Sequence, residues 1–294
     1  TKKSVLSVHM MLGGVCLVLG VFQFWPGFRR KHRQVHRAIG GLYILSAYTM
    51  VAASTYYLVN TTIADTYQGF AFHLQLWFLV ISTTVTQTLA IYHIKQRNFA
   101  LHFGFQAYTF AAFLSAPLQR LDWAVLGWLW PHLSQGEVNN MVNLMAFWQC
   151  LLVAYLVYLW NRESSALRAQ PLVQPPAAAA QARVFWTLAL AGVLTTVAFY
   201  LVWPGLGQWQ AARSIVPAST LAADAALFAD RTLQNLVFTV ATCAAIVCGM
   251  WLLMNDAASR RARQVFYGAA VVSGLIQLSW AWQLGEPSMR VISG

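Results

Sequence analysis

The chain has 294 residues, of which 59% are hydrophobic and only 9% charged, against about 25% charged residues in an ordinary soluble domain. A soluble fold of this length is excluded. The net charge of +11 would suit nucleic acid, but it lies in the loops between apolar stretches, which points to a lipid bilayer instead and leaves no nucleic-acid partner.

Spanning ~30 Å of hydrocarbon takes ~20 apolar residues, and the backbone there must satisfy its own hydrogen bonds, which favours helices. Eight segments meet that test: Val5 to Trp25, Ala38 to Val59, Gly69 to Tyr92, Leu101 to Leu118, Met141 to Trp160, Val184 to Trp203, Leu233 to Met254 and Val265 to Leu284. None contains Lys, Arg, Asp or Glu, and all are continuous apolar runs rather than the period-two alternation of a membrane β-barrel. The expected fold is therefore all-α: a polytopic membrane protein of about eight transmembrane helices with a four-helix N-terminal core.

The loops set the orientation. Arg29, Arg30, Lys31, Arg33, Arg37, Lys95, Arg97, Arg162, Arg168, Arg183, Arg260, Arg261 and Arg263 fall on one side when alternate loops are grouped, against six basic residues opposite. The positive-inside rule makes the first side cytoplasmic, which places both termini of this chain outside a bacterial inner membrane. The first span is too long for a signal-peptide core and lacks a small-residue cleavage site, so it is read as retained. Cys16, Cys150, Cys243 and Cys248 all lie inside spans without CxxC spacing and read as packing residues.

The stretch from Asn161 to Arg183, rich in Pro and Ala, is the one clear linker. It separates a five-span domain, residues 1–160, from a three-span domain, residues 184–294. Trp123, Trp128 and Trp130 follow the fourth span and read as an interfacial aromatic belt. The polar, alanine-rich segment from Pro204 to Thr232 is expected to form short helices on the outer surface.

The first four spans hold an approximate internal repeat. His9 sits about one turn inside the outer end of a span, and His36 opens the next span after a basic loop. His73 repeats the depth of His9, and His102 opens its span as His36 does, with spacings of 27 and 29 residues. Because alternate spans run in opposite directions, His9 and His73 belong to an outer level, His36 and His102 to a cytoplasmic level, about 20 to 25 Å apart at ~1.5 Å per residue. Two imidazoles from different helices at one level can grip a haem iron from both sides. Gly13 and Gly14 near His9, Gly40 near His36 and Gly104 near His102 offer room for a porphyrin, whereas Trp77 occupies the i+4 position of His73. His32, His93 and His132 are expected to be solvated, with His93 a substitute ligand on the cytoplasmic side. The plainer readings are interfacial histidines, and a polar core residue for His73. Arg37 could pair with a propionate or a lipid phosphate, or simply fix topology; Arg120 could hold an outer propionate or pair with nearby Asp122.

The segment from Phe22 to Arg30 (FQFWPGFRR), followed by His36-Arg37-Ala38-Ile39-Gly40-Gly41-Leu42-Tyr43, resembles an uncharacterised family of bacterial membrane proteins known as a domain of unknown function. In its pattern a histidine early in the first span matches His9, an arginine matches Arg29 or Arg30, and His-Arg with Gly and Tyr matches His36, Arg37, Gly40 and Tyr43. A later histidine, tyrosine and arginine match His102, Tyr108 and Arg120. The second copy departs from the pattern, with His102-Phe103 in place of His-Arg. The resemblance covers roughly the first 120 residues and implies no activity. By analogy alone, the histidine layout is similar to the transmembrane di-haem cytochromes b.

The expectation is a membrane oxidoreductase subunit: a b-type cytochrome with one or two haems, passing electrons between quinol and an outer acceptor. Its rivals are a histidine-dependent, proton-coupled carrier and an accessory scaffold within a larger membrane complex. Soluble-enzyme motifs are absent.

Overall fold

The computed structural model describes residues 2–63, 69–131, 138, 142, 145–164, 175–197, 232–254, 261, 264–272 and 275. Helices α1 (Lys2–Phe24), α2 (Pro26–Lys31), α3 (Arg33–Val59), α4 (Gly69–Lys95), α5 (Phe99–Phe113), α6 (Ser115–Leu129), α7 (Met145–Ser164), α8 (Pro175–Val197) and α9 (Thr232–Met254) follow in order, and residues 264–272 are helical as well. No strand occurs among the described residues. Among the described residues three helices, α1, α3 and α4, are long and apolar enough to cross a membrane. His132, the surface segment after Pro204 and most of the eighth expected span lie outside the described residues.

Helix contacts close a ring. α1 packs along α3, α3 against α4, α4 along α5, and α5 returns to α1. In such a ring α1 stands across from α4, and α3 across from α5. α7 backs onto α5, and α9 onto α7 and α8. The outer face of α1 exposes Met10, Met11, Val15, Val18 and Val21, a surface that only lipid or another apolar partner can cover.

α5 is the hub. From Ala100 to Phe113 all but His102 are buried, and the alanines Ala107 and Ala111 on it are fully enclosed, as small residues must be where helices approach without a hydrophobic driving force. The expected fourth span runs from Leu101 to Leu118 as one piece; the structure interrupts it at Leu114 and restarts as α6. Pro117 lacks the N–H that would bond the Phe113 carbonyl and its ring crowds that carbonyl, so the helix cannot pass unbroken.

The tightest crossing in the ring joins Gly20 of α1 to Phe110 of α5. A Cβ at Gly20 would clash with the Cε2–Cδ2 edge of the Phe110 ring, which is itself held against Phe24 at 5.0 Å. Gly20→Ala is expected to cost about 1–3 kcal/mol by overpacking, read as a lower melting temperature in detergent, and Phe110→Leu in the same chain should recover part of the loss.

The α4–α5 turn is equally specific. Arg97 takes a left-handed backbone, φ 58°, its N–H reaches the Ile94 carbonyl at 3.1 Å, and the Asn98 N–H reaches the His93 carbonyl at 2.9 Å. This is a Schellman closure with arginine where glycine is usual. Asn98 then caps α5 by accepting from the Leu101 N–H at 3.2 Å. The expected linker is shorter than its sequence range: α7 continues to Ser164 and α8 starts at Pro175. Proline is tolerated in a first helical turn, and Ala177 to Ala180 have the highest helix propensity.

α6 carries a buried acid. Gln149 of α7 donates to both Asp122 carboxylate oxygens, at 3.2 and 3.1 Å. Burial pushes the carboxyl above its ordinary range, and the Gln149 bond opposes this in lesser measure. With the folded value raised, Asp122 favours the fold below the ordinary carboxylate range and loses that contribution as pH rises through the raised value. The wild-type melting temperature should therefore fall across that interval, and Asp122→Asn should flatten the profile.

Candidate functional site

The basic end of the ring gathers the side chains that matter. α1 ends at Phe24, Trp25 turns in an extended conformation, and Pro26 starts α2. Of the three consecutive cations on α2, Arg30 and Lys31 are exposed, while Arg29 is half-buried with its guanidinium 5.7 Å from the centre of the Phe103 ring on α5. His36 opens α3 and His102 opens α5 on the diagonally opposite helix. The two imidazoles lie within electrostatic reach of each other, and Arg29 is within reach of both.

Hydrogen bonding fixes the chemistry of each ring. His102 Nδ1 sits 2.8 Å from the Ala90 carbonyl of α4. A carbonyl can only accept, so Nδ1 carries the proton and Nε2 presents a lone pair, the arrangement metal-binding histidines use. His36 Nδ1 is buried without a hydrogen-bond partner, a state that is costly unless something else occupies that nitrogen or orders the ring. The Gln23 amide of α1 donates to the His36 carbonyl at 3.3 Å. A Cβ on Gly40 would sit 3.2 Å from Gln23 Oε1, so Gly40 makes room for this strut that ties α1 to α3.

His93 is the residue that sequence reasoning misplaced. Expected to be solvated, it is 1% exposed, stacked 5.5 Å from Phe105 at an interplanar angle of 3°, and within electrostatic reach of His102. The signal was in the helical spacing. Gln75, Ser82, Thr86, Ala90 and His93 share one buried face of α4 at steps of three, four or seven residues. His32, by contrast, is exposed as expected.

The far end of the ring is built differently. His9 Nδ1 lies 2.7 Å from Ser54 Oγ, and that hydroxyl already gives its proton to the Met50 carbonyl at 3.0 Å. His9 is thus tied to α3 through the Ser54 hydroxyl. Ser54 is eighteen residues along α3 from His36, so the two levels stand ~27 Å apart at 1.5 Å per residue. His73 is engaged otherwise: Trp77 Nε1–H donates to His73 Nε2 at 3.1 Å. α1 and α4 face each other across the ring, and no hydrogen bond or ring contact joins His9 to His73 among the described interactions.

The remaining sequence candidates stand apart from the basic-end cluster. Arg37 is exposed. Arg120 bonds the Ala116 carbonyl at 2.9 Å and lies 5.6 Å over the Trp123 ring; Asp122 takes Gln149 rather than Arg120 as its partner. Gly13 meets Met50 Sδ at ordinary distance, 3.5 Å, and Gly14 faces open space. Gly104 is buried in the hub helix.

Long apolar helices around a polar, histidine-bearing interior define an α-helical integral membrane protein, which sits in a lipid bilayer. The chain belongs to the family described as "Predicted membrane protein (DUF2306)", whose model matches residues 6–158, from α1 through most of α7. No curated protein matches the chain, and no solved structure does.

Proposed function

We propose that this protein is a membrane b-type cytochrome that carries electrons between quinol and an acceptor on the opposite side. One observation supports the reading: His36 and His102 stand on diagonally opposed helices within electrostatic reach of each other, His102 with its Nε2 lone pair presented and His36 with a buried Nδ1 lacking a partner. These features fit bis-imidazole ligation. A haem held there supplies a reversible one-electron iron couple. The Ala90 carbonyl orients His102, the Gln23 strut holds the His36 backbone, and the buried residues of α5 flank His102.

The outer level fits less readily, because Trp77 already occupies His73 Nε2. A second haem there needs that bond released, which makes Trp77 a gate on the outer site. The proposal includes eight crossings, both termini outside and residence in a bacterial inner membrane, supported by the distribution of basic residues in the sequence.

The buried polar face of α4, where Thr86 and Thr109 bond at 2.8 Å, favours a second reading as a proton-coupled carrier. Protein purified from haem-replete cells and reduced with dithionite should show a Soret band and a sharp α-band. A colourless protein would end the cytochrome reading and leave the carrier, whose pH-dependent transport should then be lost in His36→Gln.

A further inference from the structure

We propose that Arg29 is an anion clamp at the basic end of the ring, taking a carboxylate or phosphate oxygen pair beside His36 and His102. The observations are geometric and electrostatic. Phe28 wedges α2 in place, 5.4 Å from Phe22, 6.4 Å from Trp25 and 5.4 Å from His32. With Phe28 fixed, the next residue on the helix turns inward, and its guanidinium rests on Phe103. One face of the guanidinium is thereby turned toward a ring at cation–π distance, which leaves its planar edge of N–H donors to be satisfied.

No carboxylate, and no other hydrogen-bond acceptor among the described residues, pairs with the Arg29 side chain. Its electrostatic neighbours are all bases: Arg30, His36 and His102. Burial and Arg30 together push the guanidinium below its usual range, the direction expected of a cation held where only an anion would relieve it. A forked donor set matches the two oxygens of a carboxylate or phosphate, which a single ammonium cannot grip in the same way.

Two sources carry that chemistry, and the first of them rests on the cytochrome reading: a propionate of a haem ligated by His36 and His102, or the phosphate of an anionic lipid. Wild type, Arg29→Gln, Arg29→Lys and Arg33→Gln, the last an exposed cation at the start of α3, should be compared in two arms. The first measures haem retained after detergent washing and the midpoint potential. The second measures melting temperature of haem-free protein in phosphatidylglycerol and in phosphatidylcholine nanodiscs.

If a propionate is held, Arg29→Gln loses haem severalfold and lowers the potential, Arg29→Lys recovers the potential in part, and Arg33→Gln behaves as wild type. If a lipid phosphate is held, phosphatidylglycerol raises the melting temperature of wild type but not of Arg29→Gln. A colourless wild type would defeat the cytochrome reading while the lipid arm still decides the clamp. Arg29→Gln indistinguishable from wild type in both arms overturns the clamp even if haem is present.

Discussion

His102→Phe and His36→Ala, each purified from haem-replete cells, are expected to lose the basic-end haem, leaving under a tenth of the wild-type Soret absorbance per chain. The reasoning is positional. Nε2 of His102 is presented because Nδ1–H is committed to the Ala90 carbonyl, and no neighbouring backbone group can substitute for that lone pair. Phenylalanine fills a similar volume in the buried hub, so the first variant separates lost ligation from collapsed packing. His36→Ala removes the partner across the ring, and the Gln23 strut survives because it bonds the His36 carbonyl rather than the ring. His32→Ala is the comparison, since His32 is exposed and stands about one turn before His36. Retention of full absorbance in both His36 and His102 variants, with unchanged helicity, would sink the assignment of these ligands.

The second large effect concerns stoichiometry. In wild type the Trp77 indole holds His73 Nε2 at 3.1 Å, so one haem per chain is expected. Trp77→Phe removes that one donor from His73 Nε2 while keeping an aromatic ring at the position. Haem content should rise toward two per chain, and the gain should vanish in the double variants with His9→Ala or His73→Ala. Pyridine haemochrome assay against protein mass reads the ratio directly. A ratio unchanged by Trp77→Phe would mean that His9 and His73 do not cooperate, and that the outer level has another role.

Some of this architecture was legible in the residues because membrane insertion depends on local composition. Twenty apolar residues without charge declare a span whatever surrounds them, and the helical interior of α1, α3 and α4 follows. The histidine levels were legible for the same reason: depth along a helix is a linear function of residue number. Azimuth is different. Whether a histidine near a helix end faces lipid, water or the bundle depends on how that helix is rotated against its neighbours. His93 was therefore read as solvated, although the buried face of α4 was available as a clue. Arg29 could not be distinguished from Arg30 and Lys31, three adjacent cations of which only one turns onto Phe103.

By itself, then, the chain of residues determined that this is an all-helical membrane protein and that α1, α3 and α4 are long and apolar enough to cross a bilayer. Only the tertiary structure decided the order of helices around the ring, the bond of His102 to the Ala90 carbonyl, the bond of Trp77 to His73 and the inward turn of Arg29. The physical reason is that hydrophobicity acts on each segment against lipid one at a time, whereas facing and partnership depend on close packing between segments distant in sequence.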